Sequence, residues 1–334
     1  MALTQVDQGL LGTYAQYTGF KNRIINGALG IWQRGTTTST NTAYMADRFW
    51  GSTSGSGTYA YARDTNTPSA AFLYSAKVSN TTITSAQYLR LNQNIESINI
   101  NDFVVGDTFT VSFWARSANN EGSIQTYYGY PTAVDNFNGG VTFPSNTSGT
   151  VNAVTSTWTR YTQTYTVTAS GSVTPAYGLQ LIISYSPATS GSREFQVTGV
   201  QLEKGTTATS FDYRPYGTEL ALCQRYYNTS YNGSGGAVGS ATTTNQLGYW
   251  GTTTFTYNGT LVSFPVAMRS TPTVTIYSPN TGTSAKMYYI TGSPADVAAS
   301  VSYANPLGFW GTVYNVSTTA GNDLRFHYSA SIEL

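Results

Sequence analysis

The chain contains one histidine and one cysteine, residue types that often supply a catalytic base and a nucleophile. A Cys-His pair would have to join Cys223 and His327. Cys223 lies on the apolar stripe of a predicted helix, and His327 falls on the outward face of the last predicted strand, where we expect an exposed polar residue. The pattern therefore favours structural roles for both, and it provides no His/Cys metal cluster.

Carboxylates leave a second catalytic option, because a glycosidase needs only two of them beside a cleft, and the chain has fifteen Asp and Glu residues. No pair stands out. Asp47, Glu203 and Asp212 lie in or beside the ordered phrases described below, but Asp47-Arg48 and Glu203-Lys204 are typical of structural ion pairs or turn anchors. The segment Asp135–Gly140 lacks most calcium ligands and the terminal Glu, which favours a Gly-rich turn. We expect no enzyme, no metal and no cofactor.

Aromatic residues give a better indication of binding. The pattern aromatic-Trp-Gly-Ser/Thr begins at Phe49, Tyr249 and Phe309. Adjacent residues of a strand point to opposite faces, so one ring can pack inward while its neighbour is offered to a sugar. The candidate carbohydrate-binding residues are Tyr249, Trp250, Phe309 and Trp310. The alternative is that these rings form core and inter-subunit contacts; Trp114 and Trp158 are predicted to lie in the core.

The elements that must position these rings are strands. Phe109, Val111, Phe113 and Ala115 alternate with Thr108, Thr110 and Ser112, which indicates a strand with one buried face. The same alternation occurs over residues 161–168, 179–185, 273–277 and 324–333. Between Phe195 and Leu202 it changes phase, which predicts a β-bulge at Gly199.

One short helix is predicted after Gly217, with Thr218 as its cap, Glu219 near its positive end, and Leu220, Cys223 and Tyr227 on one stripe. The Gly-rich tract 232–236 then predicts a boundary. The expected fold is all-β, with two β-sandwich domains joined by a short α-helix and a Gly-rich linker. The expected segments are an anchoring or linker stretch (1–20), a first β domain (21–215), a connector (216–236) and a second, smaller β domain (237–334).

Composition narrows the class of partner. Only 9% of the 334 residues are charged and the formal net charge is +1, so we expect neither nucleic-acid binding nor membrane insertion. The first residues lack the pattern of a secretory signal, and one cysteine cannot form an intrachain disulfide. Both features favour synthesis in a host cytoplasm.

Several phrases occur in a fixed order along residues 22–227: Asn22–Gly35, Tyr44–Trp50, Phe113–Arg116, Trp158–Tyr161, Thr198–Gly205, Arg214-Pro215 and Glu219–Tyr227. This series resembles bacteriophage tail-fibre and minor virion proteins, and Phe264–Val274 resembles a segment of the C-terminal domains attached to them. The resemblance implies that the first domain (21–215) is a jelly-roll sandwich similar to carbohydrate-binding modules and that a connecting helix joins it to a jelly-roll-like C-terminal tip domain (237–334). It also implies assembly as a homotrimer.

The expected function is therefore that of a phage virion structural protein, a fibre or fibre-tip subunit on the tail or capsid surface that attaches to a host glycan. The N-terminal segment would join other tail or capsid proteins. Two alternatives remain open: a purely architectural head-decoration or tail-adaptor protein, and a polysaccharide depolymerase.

Overall fold

A computed structural model describes residues 20–145, 147–231, 237–251, 257–291, 293–314 and 322–334. These residues are almost entirely β-structure, which confirms the predicted fold class. They contain no helix with the length and apolarity that a membrane crossing requires. The predicted anchoring stretch, except for Phe20, and the Gly-rich tract 232–236 lie outside the described residues.

The strands in chain order are β1 (Thr37–Thr38), β2 (Phe49–Thr53), β3 (Tyr59–Asp64), β4 (Ser75–Ile83), β5 (Leu89–Ile95), β6 (Thr108–Ser117), β7 (Ser123–Pro131), β8 (Val141–Thr142), β9 (Asn152–Ala153), β10 (Thr159–Thr166), β11 (Leu179–Ser186), β12 (Gly191–Lys204), β13 (Tyr227–Thr229), β14 (Leu247–Gly251), β15 (Tyr257–Ser263), β16 (Thr273–Tyr277), β17 (Lys286–Tyr289), β18 (Ala295–Asn305), β19 (Gly308–Tyr314) and β20 (Asn322–Ser331). The helix α1 spans Tyr216–Gln224, and short 3₁₀ turns span Ser97–Asn99, Phe137–Gly139 and Pro175–Tyr177.

Two antiparallel sheets form the first sandwich. The first sheet has the order β1-β3-β4-β12-β6-β10, and the second has the order β2-β5-β11-β7-β8, with β9 also paired to β7. Their inner faces share one core, in which Phe109 of the first sheet contacts Tyr128 of the second edge to face, with ring centroids 5.0 Å apart. The predicted inward face of β6 is confirmed, because Phe109, Val111, Phe113 and Ala115 are all buried.

The predicted bulge at Gly199 is also confirmed. The pairing of β12 with β6 shifts register between Thr198 and Gln201, and Gly199 has a φ of 62°. A Cβ there would lie 2.8 Å from the Phe72 ring, so glycine suits both the backbone and the space. The bulge returns the apolar side chains of β12 to the core on both sides of it.

The C-terminal sheet is organised by β20. Its last residues pair with β13 and β16, and its first residues pair with β14 and β17. From β17 the sheet continues through β18 and β19 to β15. Because β20 pairs with different strands at its two ends, the sheet can enclose its own core. In this core the rings of Phe309 and Tyr328 pack with their centroids 5.2 Å apart. The domain limits stay a prediction, but β13, which lies inside the predicted connector, is a strand of this sheet.

The helix begins earlier than predicted. Pro215 is the N-cap residue and no side chain caps the helix, so the assignment of Thr218 as cap was wrong. Glu219 does lie in the first turn, where it accepts hydrogen bonds from Asn26 N (2.5 Å) and Arg214 Nη1 (3.1 Å). Cys223 is buried as predicted, whereas Tyr227 begins β13 instead of extending the helical stripe.

A buried charge network joins the first sandwich to the C-terminal sheet, and we call it the junction. Arg34 pairs with Asp47 (3.1 Å) and Glu333 (2.6 Å), and Arg48 also pairs with Glu333. The Arg48 guanidinium lies over Tyr226, 3.6 Å from the ring centroid. Residues from three of the ordered phrases of the sequence therefore meet in one contact network.

Candidate functional site

Two copies of the aromatic-Trp-Gly-Ser/Thr pattern have the same geometry on different sheets. Phe49 and Phe309 are buried in separate cores. Trp50 and Trp310 follow them directly and therefore face outward, as strand alternation requires. A buried glycine follows each tryptophan: a Cβ on Gly51 would meet the Tyr61 ring at 3.3 Å, and a Cβ on Gly311 would meet Met287 at 2.9 Å.

The third copy is only partly described. Tyr249 lies opposite Leu324 and packs, half-buried, against the C-terminal core. The Trp250 side chain lies outside the described residues. Strands β20, β17 and β18 separate β14 from β19 in the sheet. The four predicted binding residues, which belong to β14 and β19, are therefore not on neighbouring strands. With Phe309 buried, Trp310 is the member of the predicted set that the structure offers to a ligand.

The outer face of the second sheet holds a concave site that the sequence did not single out, and we call it the Trp50 groove. It has a volume of about 400 Å³. It is lined by three aromatic residues, three side-chain amides and two further residues: Tyr44, Trp50, Phe137, Asn94, Asn138, Gln180, Thr42 and Leu334. Its size and mixed lining are those of sites that hold small ligands.

Three neighbouring strands and two turns build this groove. Trp50 lies on β2, Asn94 on β5 and Gln180 on β11. Trp50 pairs with Asn92, two residues before Asn94, and Asn94 pairs with Gln180. The three side chains therefore point to the same face of the sheet. Tyr44 reaches the groove from the segment before β2, where it forms a bridge with Trp50. Phe137 and Asn138 come from the 3₁₀ turn after β7. The site therefore depends on segments that are distant in the sequence.

Hydrogen bonds fix two of the three amides that line the groove. Gln180 Nε2 donates to Asn94 Oδ1 at 2.9 Å, and Asn94 Nδ2 donates to the main-chain oxygen of Leu334 at 2.8 Å. The Tyr44 hydroxyl donates to the same oxygen at 3.1 Å, and burial raises the pKa of Tyr44 well above its usual value of 10. Tyr44 is thus a neutral donor at physiological pH. Side chains that are held in this way are pre-organised for a ligand.

The same outer face continues away from the groove as a polar strip. Trp50, Asn92, Ile182 and Tyr127 form one cross-strand row. In the next row the Arg90 guanidinium lies 3.6 Å from the Tyr88 ring centroid, and Arg90 Nε donates to Ser184 Oγ at 3.3 Å. The strip extends the polar and aromatic surface beyond the groove.

The Trp310 face is the second aromatic surface, formed by the outward side of β15, β19 and β18. Trp310 is 43% exposed and lies directly between Leu261, which is 60% exposed, and Ser302. Next to them, Thr312 Oγ1 lies 3.0 Å from Ser300 Oγ and 3.3 Å from Ser302 Oγ. This surface is open, with an exposed ring beside a row of hydroxyls.

The two candidate catalytic side chains are both buried. Cys223 belongs to an apolar cluster at the junction, and burial raises the pKa of its thiol well above the usual value. The prediction of an exposed His327 was wrong: its side chain is completely buried, stacks on Tyr231 and lies 2.9 Å from Ser230 Oγ and 3.0 Å from the Thr242 carbonyl. Residues before β14 cover this face of β20, which strand alternation alone cannot reveal.

The acids of the ordered phrases have structural partners. Asp47 binds Arg34 and also accepts from Gln33 Nε2 at 2.8 Å. Glu203 accepts from Thr209 N at 2.8 Å, and Asp212 from Lys21 N at 2.8 Å. Arg48 and Lys204 form ion pairs, but not with the adjacent acids. Arg48 binds Glu333, and Lys204 binds Asp107.

The Asp135 loop is a turn, as predicted. Its carboxylate accepts from Ser97 N at 2.7 Å and lies 3.1 Å from Ser97 Oγ. Among the described residues, no three His, Cys, Asp or Glu side chains are grouped in a way that could hold a metal ion.

Two tryptophans that were predicted to lie in the core do not. Trp114 and Trp158 are half-buried, and Trp158 Nε1 donates to Asn66 Oδ1 at 2.9 Å. Trp114 follows the inward Phe113 and therefore points outward from the first sheet. These two side chains are surface features on another face of the sandwich.

Comparisons with known proteins gave distant structural likenesses. No family model and no curated protein matches this chain. A solved structure described as a candidate sugar-binding protein from Bacteroides thetaiotaomicron is 13% identical, with a TM-score of 0.39 over 55% of this chain and all of the other. A family 11 carbohydrate-binding module from Clostridium thermocellum, in complex with a β-1,3-1,4-linked tetrasaccharide, is 13% identical, with a TM-score of 0.33 over 52% of this chain and 98% of the other.

A xylan-binding domain from Paenibacillus barcinonensis is 9% identical, with a TM-score of 0.32 over 57% of this chain and 98% of the other. These scores are too low to support an argument about ligand or function. The all-β architecture rests on the strands of this chain, and the resemblance to phage fibre proteins stays a prediction.

Proposed function

We propose that this chain is a non-catalytic glycan-binding protein and that the Trp50 groove holds a neutral sugar. The observation that carries the proposal is the lining of the groove, in which aromatic rings and side-chain amides converge and no charged side chain takes part. A binding protein for an acidic glycan would instead be expected to place Arg or Lys against the carboxylate or phosphate.

The lining fits the chemistry of a pyranose. Such a ring has an apolar C–H surface that stacks on an aromatic side chain, and its hydroxyls both donate and accept hydrogen bonds. Asn94, Asn138 and Gln180 can supply both kinds of partner, because each amide carries a carbonyl oxygen and an NH₂ group. In the groove Trp50 would supply the stacking surface and the amides would set the orientation of the sugar.

The composition of the groove lining supports binding without turnover. None of the residues that line the groove is Asp or Glu. Glycoside hydrolysis by the common mechanisms needs two carboxylates on either side of the scissile bond. A polysaccharide depolymerase would require two carboxylates at this site. We therefore expect that no new reducing ends form when the protein is incubated with a polysaccharide that it binds. Sustained release would establish the enzyme alternative.

The direct test is binding to immobilised neutral polysaccharides (glucans, xylan, galactan and mannan). Wild-type protein should bind at least one of them, and Trp50→Ala should weaken that binding by about tenfold or more, the usual loss when a central aromatic contact is removed. Trp158→Ala is the matched control, since it removes a half-buried tryptophan from another face of the sandwich.

Asn138→Ala gives an independent variant, because Asn138 is exposed and its loss should not disturb folding. Equal binding by wild type, Trp50→Ala and Asn138→Ala would overturn the Trp50 groove as the site. Failure of the wild type to bind any of the polysaccharides would favour the purely architectural alternative.

We further propose that the glycan-binding chain is a subunit of a bacteriophage fibre or fibre tip, assembled as a homotrimer and joined to other tail or capsid proteins by residues 1–20. The ordered phrases of the sequence support this proposal. Residues from three of these phrases contact one another at the junction, which gives them a shared structural role. A trimer would convert weak sugar contacts into avidity. Antibodies against the chain should label intact particles in electron micrographs, and their failure to label any particle would refute the virion location.

A further inference from the structure

The Trp50 groove adjoins a second cavity of about 520 Å³. Both cavities are lined by Thr42, Tyr44, Asn138 and Leu334. The second cavity is also lined by Thr273 of β16 and Ser331 of β20, which belong to the C-terminal sheet. Because they share four lining residues, the two cavities lie side by side across the junction, and we call them together the channel.

The C-terminal wall of this channel presents paired hydroxyls. Thr273 and Ser331 are directly opposite each other in the antiparallel pairing of β16 with β20, so their side chains lie on the same face. Thr273 is exposed and Ser331 is half-buried. Two neighbouring hydroxyls on a sheet face can each donate and accept, which suits the hydroxyl edge of a sugar.

The charged side chains of the second cavity are already paired. Arg34 and Glu333 form a 2.6 Å ion pair and are about nine-tenths buried, at 12% and 9% exposure of their side chains. Arg48 and Asp47 complete the network on either side. An anionic ligand would have to compete with Glu333 for the guanidinium of Arg34, so a neutral ligand fits this wall better.

We infer that the ligand is a neutral oligosaccharide long enough to cross the junction, with one part in the Trp50 groove and the next against Thr273 and Ser331. This inference rests on the proposed function. Each cavity alone falls in the range of about 300–1,000 Å³ that holds a drug-sized molecule, so the channel is larger than a disaccharide requires. Because one ligand would contact both sheets, its binding stabilises their contact at the junction.

The test is a titration calorimetry series with neutral oligosaccharides, from disaccharide to hexasaccharide, of the sugar type that the polysaccharide assay identifies. Wild-type affinity should rise with length until the channel is filled. The double variant Thr273→Val with Ser331→Ala should lower hexasaccharide affinity by about tenfold, as expected for the loss of two neutral hydrogen bonds, and leave disaccharide affinity unchanged. Thr275→Val is the matched control, since it lies on the same face of β16 two residues away and does not line the channel.

The outcomes separate this inference from the proposed function. The inference would be overturned if affinity did not depend on the length of the oligosaccharide, or if the double variant bound every oligosaccharide as tightly as wild type. In either case Trp50→Ala would still test the groove. Loss of affinity for disaccharide and hexasaccharide alike in the double variant would also contradict the inference. At the same free concentration of ligand, thermal unfolding should show a larger shift in Tm with hexasaccharide than with disaccharide, because the tighter ligand stabilises the folded state more, and equal shifts would count against the inference.

Discussion

Trp50 and Trp310 occupy the same place in the same four-residue pattern, yet their surroundings differ. Each ring follows a buried phenylalanine, precedes a buried glycine and faces outward from an antiparallel sheet. Around Trp50, the segment that contains Tyr44 and the turn that contains Asn138 contribute further walls and form a groove. Around Trp310, exposed Leu261 and a row of hydroxyls leave an open surface.

The difference teaches that strand alternation sets the direction of a ring, whereas distant segments decide whether the ring is part of an enclosed site. A ligand in a groove is desolvated on several sides and meets fixed amides, so each contact is worth more than on an open face. The Trp50 groove should therefore dominate binding, with the Trp310 face contributing weakly.

The largest expected effect comes from breaking the buried ion pairs of the junction. Glu333→Gln leaves Arg34 and Arg48 buried without their shared carboxylate, which should lower the free energy of unfolding by about 3 kcal/mol. Urea unfolding measures this loss. Lys77→Gln, which breaks the half-exposed ion pair with Asp64, is the control and should cost less than about 1 kcal/mol. Similar costs for the two variants would contradict the importance of the junction.

The comparison of the two tryptophans gives the next effect. Trp50→Ala should reduce oligosaccharide affinity by about 2 kcal/mol, whereas Trp310→Ala should reduce it by less than about 0.5 kcal/mol, because the open face buries little of a ligand. Calorimetric titration of both variants with the same oligosaccharide measures the difference. A larger loss for Trp310→Ala would reverse the ranking and restore the C-terminal tip as the main site.

The two glycines sharpen the comparison inside the fold. A methyl group on Gly51 would meet the hydroxyl of buried Tyr59 at 2.1 Å, so Gly51→Ala should destabilise by about 1–3 kcal/mol. On Gly311 the nearest atom is the flexible end of Met287 at 2.9 Å, and Gly311→Ala should cost about 1 kcal/mol or less. Denaturant unfolding should show this order, and the opposite order would mean that the two patterns pack differently.

Acidification should affect the two regions in opposite directions. Burial raises the pKa of Asp47 at the junction to about 6, above its usual value of 3.8. The folded state then holds a proton that the unfolded state lacks, so this group adds stability as the pH falls through about 6 toward 4. Burial lowers the pKa of His327 in the C-terminal sheet below 6.5, so the unfolded state binds the extra proton and stability is lost as the pH falls below 6.5.

Unfolding measured at pH 7.5 and pH 5 separates these contributions. Compared with wild type, His327→Gln should lose less stability on acidification, and Asp47→Asn should lose more. Identical pH dependence in the wild type and both variants would contradict the assignment.

The fold was predictable where the sequence has a strict two-residue rhythm. The alternation from Phe109 to Ala115 located β6 correctly, and the phase change at Gly199 located the bulge of β12, because burial of one face enforces alternation. His327 shows the limit, since its burial depends on contacts with Ser230, Tyr231 and Thr242, which precede β14 and cover this face of β20. Trp114 and Trp158 show the same limit from the other side, because no distant segment covers them completely.

The groove was less predictable than the fold. The pattern around Trp50 was visible, and in β5 the polar residues Arg90, Asn92 and Asn94 share one face, which is a weaker signal because Gln93 interrupts the apolar face opposite. Tyr44, Asn138 and Leu334 carried no such signal, because they reach the site from a segment before β2, a turn after β7 and the last residue of the sequence. Only the packing of these segments turns a row of side chains into a cavity.

The most direct measurement is a crystal structure of the protein with a bound neutral oligosaccharide. The account predicts a sugar ring stacked on Trp50, with its hydroxyls bonded to Asn138 and Gln180 and the chain continuing toward Thr273. A sugar bound only at Trp310, or elsewhere with the Trp50 groove empty, would contradict it.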